Sequence, residues 1–349
     1  MSDFDKHIIS QSESVRDALS KLDALASDAI LFVVDNELHL IGSLTDGDLR
    51  RGFIKGLGFE DSLLQFIQKN PIYITRTNYT LEQLEAYKEK HYKIIPIVDT
   101  DKVIIDVLNF RIQKTIIPAD GVLMAGGQGK RLRPLTANTP KPLLKVGDKP
   151  IIEYNIDRLV QYGIRNINLS INYLGEQIES YFGDGERNKA RISYVCESKP
   201  LGTVGSIHLV ESFEHDDILI MNSDLLTNID FADFYVTFKN SGADMAVAAT
   251  SYHVDVPYAV LEVDGKNLAT SLKEKPRYTY YSNAGIYFIK KSLLEMIPKN
   301  DYFDITDLME AVLAQNKTII TYPITGYWLD IGKHEDFQKA QEDIKHIKF

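Results

Sequence analysis

Residues 121–136 read Gly121-Val-Leu-Met-Ala-Gly-Gly-Gln-Gly-Lys-Arg-Leu-Arg-Pro-Leu-Thr136, and Thr139-Pro-Lys-Pro142 follows shortly after. These residue types suit phosphate oxygens. Gly126, Gly127 and Gly129 remove side chains that would keep backbone N–H groups away from an anion. Lys130, Arg131, Arg133 and Lys141 place fixed positive charge beside that loop, and an arginine can grip phosphate with two parallel N–H groups. Together with Lys145 and Lys149 they face one acid, Asp148, between Gly126 and Pro150. A polyphosphate ligand is therefore expected. A solvated charged face is the ordinary explanation of such a run, but glycines and prolines interleave these charges in a way no helix face would.

The apolar run Ile218-Leu-Ile-Met221 ends in Asn222-Ser-Asp224, which sets a carboxylate at the C-terminal edge of a buried strand. Mg²⁺ takes one or two carboxylates and completes its shell with phosphate oxygens and water, so Asp224 is a candidate ligand. A lone Asp after a strand is more commonly a helix cap or turn former.

The loop fits neither of two widespread nucleotide motifs. A Walker loop needs Gly-x4-Gly-Lys-[Ser/Thr], whereas Arg131 follows Lys130 and Met124 holds the first glycine's position. A dinucleotide fingerprint needs Gly-x-Gly-x-x-Gly, and Leu132 occupies its last position. The loop instead resembles that of the sugar-1-phosphate nucleotidyltransferases, over a stretch running from about Pro118 to the C-terminus, with Lys130 standing where that family most often has Thr or Ser.

The resemblance implies a reaction of a nucleoside triphosphate with a sugar 1-phosphate, giving a nucleotide sugar and pyrophosphate. It implies nucleotide contacts from Met124, Ala125, Gly126, Gly127, Gly129 and Lys130, a clamp on the β and γ phosphates by Arg131, and Lys141 near the α-phosphate. Asp330, in Tyr327-Trp-Leu-Asp-Ile-Gly332, matches the second metal aspartate, so that Mg²⁺ on Asp224 and Asp330 would bridge the two substrates. Glu197-Ser-Lys-Pro-Leu-Gly-Thr203 resembles the base-binding turn, with Glu197, Pro200, Gly202 and Thr203 near the nucleobase. Glu274 and Lys275, in Lys273-Glu-Lys-Pro276, resemble the residues meeting sugar hydroxyls and sugar phosphate, and Tyr258, Asn283 and Gly285 match sugar-site positions. Two departures stand out: Ser223 and Ala259 occupy positions where the family usually has glycine. No catalytic histidine is needed, since a phosphate monoester sheds its second proton near pH ~6.

For the base, a carboxylate only accepts, and guanine offers adjacent N1–H and N2–H₂ donors, so Glu197 favours GTP. A UTP-, CTP- or dTTP-using homologue is the alternative. Residues 200–203 also resemble the run in mannose-1-phosphate guanylyltransferases, while the layout of the whole chain is similar to the glucosamine-1-phosphate guanylyltransferases of bacterial nonulosonic acid pathways. The expected product is a GDP-hexosamine, with GDP-mannose the alternative. A silent nucleotide-sensing subunit is the reading from another class; such relatives typically lose a metal aspartate or a phosphate clamp, both present here as Asp224, Asp330, Arg131 and Lys141.

Stepwise apolar and turn patterns place these residues. The 349-residue chain, 44% apolar and 25% charged, is comfortable as two domains. Residues 121–349 alternate helix and strand (151–162, 166–171, 175–182, 192–196, 203–210, 218–222), predicting a Rossmann-like α/β domain with a mixed, mostly parallel sheet, and become strand-rich after Met245. Residues 1–114 carry a weak duplication: helix 15–25, strands 29–34 and 38–42 and helix 46–55, then helix 80–91 and strands 94–98 and 102–108. This resembles a tandem pair of CBS modules, a smaller α+β regulatory domain joined by a linker at 115–120. Its Gly42-x-x-Thr45-x-x-Asp48 matches a motif that in CBS pairs binds adenine nucleotides, although Thr45 and Asp48 also spell an ordinary helix cap. CBS pairs often dimerise, so a homo-oligomer is expected.

The net charge of −10 argues against nucleic-acid binding. No run approaches the ~20 apolar residues of a membrane span and no signal-peptide core precedes the first helix, so no membrane association and a cytoplasmic location are expected. Cys196, the only cysteine, excludes an internal disulfide, and Tyr194 and Val195 beside it predict a buried strand thiol.

Overall fold

The computed structural model describes residues 4–347 except 77 and 198, and the chain divides into two compact units, Met1–Ile116 and Ile117–Phe349. In the first unit β1 (Ile8–Ser10), α1 (Val15–Leu25), β2 (Leu31–Val34), β3 (Leu40–Leu44) and α2 (Asp46–Ile54) are followed by β4 (Ile74–Thr75), α3 (Leu81–Glu89), β5 (Ile94–Val98) and β6 (Ile104–Asn109). Each half forms a three-stranded sheet whose first pair is parallel and second antiparallel, ordered β1-β2-β3 and β4-β5-β6. The halves repeat even in their turns. Asp35 Oδ1 accepts from the backbone N–H groups of Glu37 and His39, and Asp99 Oδ1 from those of Asp101 and Val103, all at 2.9 Å. The turns then exchange hydrogen bonds: Leu40 N donates to Lys102 O (2.9 Å) and Ile104 N to Leu38 O (3.1 Å). Phe32 and Val34 of one half share an apolar cluster with Ile94, Val98 and Ile104 of the other, which hides a face neither half could bury alone.

The second unit runs β7 (Asp120–Met124), a small hairpin of β8 (Lys145–Val146) and β9 (Lys149–Pro150), α4 (Ile151–Gln161), β10 (Asn166–Ile171), α5 (Gly175–Phe182), β11 (Arg191–Cys196), β12 (Asp217–Asn222), β13 (Leu225–Thr227) and α6 (Phe231–Ser241). There follow β14 (Met245–Asp255), β15 (Val260–Val263), β16 (Ala269–Lys273), β17 (Arg277–Lys290), α7 (Ile305–Ala314), β18 (Ile319–Pro323), β19 (Trp328–Asp330) and α8 (His334–Asp343). The main sheet has the order β11-β10-β7-β12-β17-β14-β18. Its first four strands are parallel, β17 is antiparallel to both neighbours, and β14 pairs parallel with β18. Both faces are covered, which explains the unbroken apolar runs in β7 and β12. Val122, Ile218 and Ile220 meet Leu308 and Val312 of α7 on one side. On the other, Phe238 of α6 stacks on Phe288 at 5.9 Å between ring centres. No described helix is long and apolar enough to cross a membrane.

Three features differ from the sequence reading. The helix expected at 203–210 is a 3-10 turn at Gly205–Leu209: Ile207 N donates to Val204 O (3.0 Å) and Val210 N to Ile207 O (3.2 Å), while the N–H groups of Val204 and Gly205 both donate to Phe303 O (3.1 Å). Cys196 is exposed: β11 is an edge strand, and the thiol at its end lies 3.4 Å from Glu179 Oε1. The strand-rich stretch after Met245, which suggests an added sheet, instead gives β14, β17 and β18 to the main sheet and leaves β15 and β16 apart. Residues 251–255 of β14 and 277–281 of β17 continue to pair beyond it and, with the β15–β16 hairpin, form a largely exposed arm.

Candidate active site

Parallel strands end together, so β7, β10, β11 and β12 deliver their following residues to one edge of the sheet. After β7 the chain enters the glycine loop, anchored where Ala125 N donates to Ser170 O (2.7 Å). The glycines there have different tasks. Gly129 has φ +59°, and a β-carbon on it would stand 2.9 Å from Thr136 Cγ2 and 3.1 Å from Lys141 Cβ, so only glycine closes the turn. A β-carbon at Gly127 would meet nothing within 4 Å, which leaves its backbone open to a ligand. Thr136 Oγ1 donates to Gly129 O (2.8 Å) and fixes the far end of the loop. Lys130, Arg131 and Arg133 are exposed, whereas Lys141 is buried.

Asp224 follows β12, and the chain turns at once into β13, which pairs antiparallel with β19 so that Leu225 lies opposite Asp330. Ile331 N donates to Asp224 O (3.1 Å), which sets two acids distant in sequence side by side. The Lys141 ammonium contacts Asp224 Oδ2. Asp330 Oδ1 is buried with no hydrogen-bond partner among the described residues. Burial, and then the neighbouring Asp224, push the Asp330 carboxyl above its ordinary value, with Lys141 and Arg131 pulling the other way. Arg131 joins this group: a β-carbon on Gly332 would stand 3.2 Å from its Nη2. Ser223 keeps its place because its hydroxyl donates to Met124 O (2.7 Å), so the side chain added to the strand end is fully used.

A buried, partnerless carboxylate oxygen beside a second carboxylate is the arrangement a hard cation satisfies. Among the described residues no three His, Cys, Asp or Glu side chains gather as a metal cage. The donor set therefore fits Mg²⁺, which leaves most of its shell to phosphate and water.

On the other side of the glycine loop, Glu197 Oε1 accepts from Ser170 Oγ (2.9 Å) and Oε2 from Leu201 N (3.2 Å). A β-carbon on Gly126 would lie 3.5 Å from Glu197 Oε1, so this carboxylate borders the loop. Gly202, with φ +79°, presses on the chain before α7, where a β-carbon would stand 2.6 Å from Phe303 O. Thr203 donates to Asp304 Oδ1 through its N–H (2.9 Å) and hydroxyl (3.2 Å), and accepts from Ile305 N (2.6 Å). Gly202 and Thr203 thus bind the turn to the start of α7, while Pro200 is exposed. Ser170, Thr136 and Asp304 were not singled out from sequence; only Asp304, three residues before Asp307, carries a local signal, a capping box ahead of an apolar run.

The sugar-site candidates separate into two groups. Asn283 Oδ1 accepts from Gly285 N (2.9 Å) and Tyr287 Oη (2.8 Å). Gly285 has φ +73°, and a β-carbon on it would be 2.6 Å from Asn222 Nδ2, so this pair reaches the strand end carrying Asp224. Tyr258, Glu274 and Lys275 stand exposed on the arm, and no described hydrogen bond or ion pair joins them to the acids.

A sequence profile described as "Nucleotidyl transferase" matches residues 120–347. The mannose-1-phosphate guanyltransferase of Debaryomyces hansenii is 32% identical over 225 residues, covering 62% of each chain, so this chain spans less than two thirds of that relative's length. A Bacillus anthracis crystal structure in complex with sucrose, named provisionally as glucose-1-phosphate thymidylyltransferase, aligns with TM-score 0.53 and 25% identity over 66% of this chain and 97% of its own. HddC from Yersinia pseudotuberculosis, complexed with GMP-PN, aligns with TM-score 0.50 and 26% identity over 65% and 99%. A glycine cradle, an acid pair closed by a strand ladder, and a profile spanning the whole of this α/β unit agree: the chain belongs to the nucleotidyl transferase family.

Proposed function

We propose that the chain transfers a nucleoside monophosphate from GTP to a hexose 1-phosphate, releasing pyrophosphate, with Mg²⁺ held by Asp224 and Asp330. The observation that carries this reading is the partnerless Asp330 oxygen beside Asp224, with Lys141 and the glycine loop at the same strand ends. When bound, Mg²⁺ supplies charge neutralisation to two anions that otherwise repel. The chain's own residues do the rest. The open backbone at Gly127 receives phosphate oxygens, Arg131 balances charge on the departing pyrophosphate, and Lys141 exchanges its Asp224 contact for the α-phosphate. The sugar phosphate is already an oxyanion at neutral pH, so the protein's work is to hold it in line with the phosphorus.

Glu197 supports guanine. Its two oxygens each spend one lone pair inside the protein and keep another for the donors on guanine's edge. The guanyltransferase name of the yeast relative and the GMP-PN complex of HddC agree with that choice. For the sugar, the same relative's name supports mannose 1-phosphate. A hexosamine 1-phosphate rests on the CBS-like reading of the N-terminal unit, whose duplicated topology supports it. That unit is further proposed to bind an adenine nucleotide at Thr45 and Asp48 and to assemble the chain as a homo-oligomer.

Pyrophosphate release decides among these. GTP, ATP, UTP, CTP and dTTP, each paired with mannose, glucosamine, N-acetylglucosamine and glucose 1-phosphates, should give turnover with GTP and one hexose phosphate, abolished by chelator. Preference for another base would remove the Glu197 argument. Nucleotide binding without turnover for any pair would make the chain a silent sensing subunit.

A further inference from the structure

At the opposite end of the strands from Asp224 lies a cavity of about 500 Å³ that the proposed transferase chemistry does not use. Its floor is one face of the sheet, where Asn166 pairs with Arg191 and Asn168 with both Val122 and Ser193. Its other wall is the segment 209–214. Asn168 is 9% exposed, no described hydrogen bond involves its amide, and its polar atoms stay open to the cavity. This amide lines the cavity with two donors and an acceptor to offer.

The charges around it are mostly spent. Asp120 accepts from Asn166 Nδ2 (3.1 Å) and His215 N (2.8 Å). Arg191 donates from Nε to Asn166 Oδ1 (2.6 Å) and pairs with Glu214 through its other end. A phosphate would find the cavity's one lining cation committed and Glu211 facing it unpaired. A metal ion would find no described cluster of three ligating side chains. What remains is the Asn168 amide and the Ser193 and Ser212 hydroxyls beside the apolar Leu209 and Val210, which matches a molecule with a hydroxyl edge and a C–H face.

We propose that this cavity is a second ligand site, for a neutral pyranose sugar without phosphate, with Asn168 as its anchoring amide. It is independent of the catalytic edge and of the reaction proposed there. Binding is tested on the full chain with D-mannose, D-glucose and N-acetyl-D-glucosamine as probes and inorganic phosphate as the anionic comparator, using saturation-transfer NMR for affinity and hydrogen exchange for location. At least one sugar should protect residues 166–168, 191–195 and 209–214 in the wild type and equally in Asp224→Asn, while phosphate should not. Asn168→Leu should weaken that sugar about tenfold, the loss of one buried hydrogen-bonding partner. Ser193→Trp, at an exposed floor position directly beside Asn168, should fill the cavity and abolish sugar protection while leaving the fold intact. No protection by any probe, protection lost in Asp224→Asn, protection by phosphate, or unchanged affinity in both cavity variants would overturn the site.

Discussion

Thr45 with Asp48 and Asp224 with Asp330 are both pairs that sequence marks for ligands, and the fold treats them in opposite ways. Asp48 Oδ2 accepts from Thr45 N (2.9 Å) and Thr45 Oγ1 (2.6 Å), Asp48 N donates back to Thr45 Oγ1 (3.3 Å), and Arg51 covers the other oxygen. That pair is closed. Asp330 instead keeps a buried oxygen without a partner and has a second carboxylate beside it. Residues three apart at a helix start can satisfy one another at no cost to the fold. Acids brought together across a strand ladder cannot, and the fold tolerates an arrangement that a cation would relieve.

The contrast can be broken most sharply at the acids. Asp224→Asn should lower the rate of pyrophosphate release about a thousandfold and Lys141→Ala about a hundredfold, with melting temperatures near the wild type. Normal turnover in both would sink the site. Asp330→Asn should lose activity comparably and yet melt higher than the wild type in chelator. The sign follows from the raised Asp330 value: the wild type loses stability as pH rises from 3.8 through that value, so the variant's advantage grows over the same range and vanishes below the ordinary 3.8.

Gly129→Ala should destabilise the second unit by about 1–3 kcal/mol, through its positive φ and the contact with Thr136, as read by thermal melting. Gly127→Ala, in open space, should leave the melt unchanged and weaken GTP binding. Equal behaviour of the two glycines would show that the loop is not a cradle.

At the closed pair, Thr45→Ala should cost about 1 kcal/mol of stability and leave basal turnover alone. Weakened adenine-nucleotide binding beside that stability cost would support the nucleotide site proposed there, and unchanged binding would remove it. The smallest effect is at His39, whose ring the Asp35 carboxylate holds above the usual 6.5. Its NMR titration should fall toward 6.5 in Asp35→Asn. Any stability it adds is present below 6.5 and is lost as pH rises through its native value.

Local order was legible where local chemistry decides it. Helices 15–25 and 175–182 and strand 166–171 fall where periodicity places them, the first fixed by the Ser14 and Asp17 capping box. The pattern at 203–210 misleads because the segment is pinned to Phe303, a hundred residues later, and closes i→i−3 bonds where the periodicity suggests an α-helix. Cys196 misleads because apolar neighbours do not reveal that β11 is an edge strand. In α6, Phe231, Phe234, Tyr235 and Phe238 recur at helical spacing, but that Phe288 packs against the last three of them and Tyr162 against Phe231 depends on the fold.

Short-range facts were carried by the sequence alone: a glycine loop crowded with cations, an acid after an apolar run, and a repeated N-terminal pattern, because residue type and spacing set backbone freedom and charge. Three matters waited for the tertiary structure: that Asp330 reaches Asp224, that Lys141 is buried against it, and that Asn168 is left facing a cavity. Each depends on strand register and burial, which are set by packing between segments far apart in the chain and which no local spacing encodes.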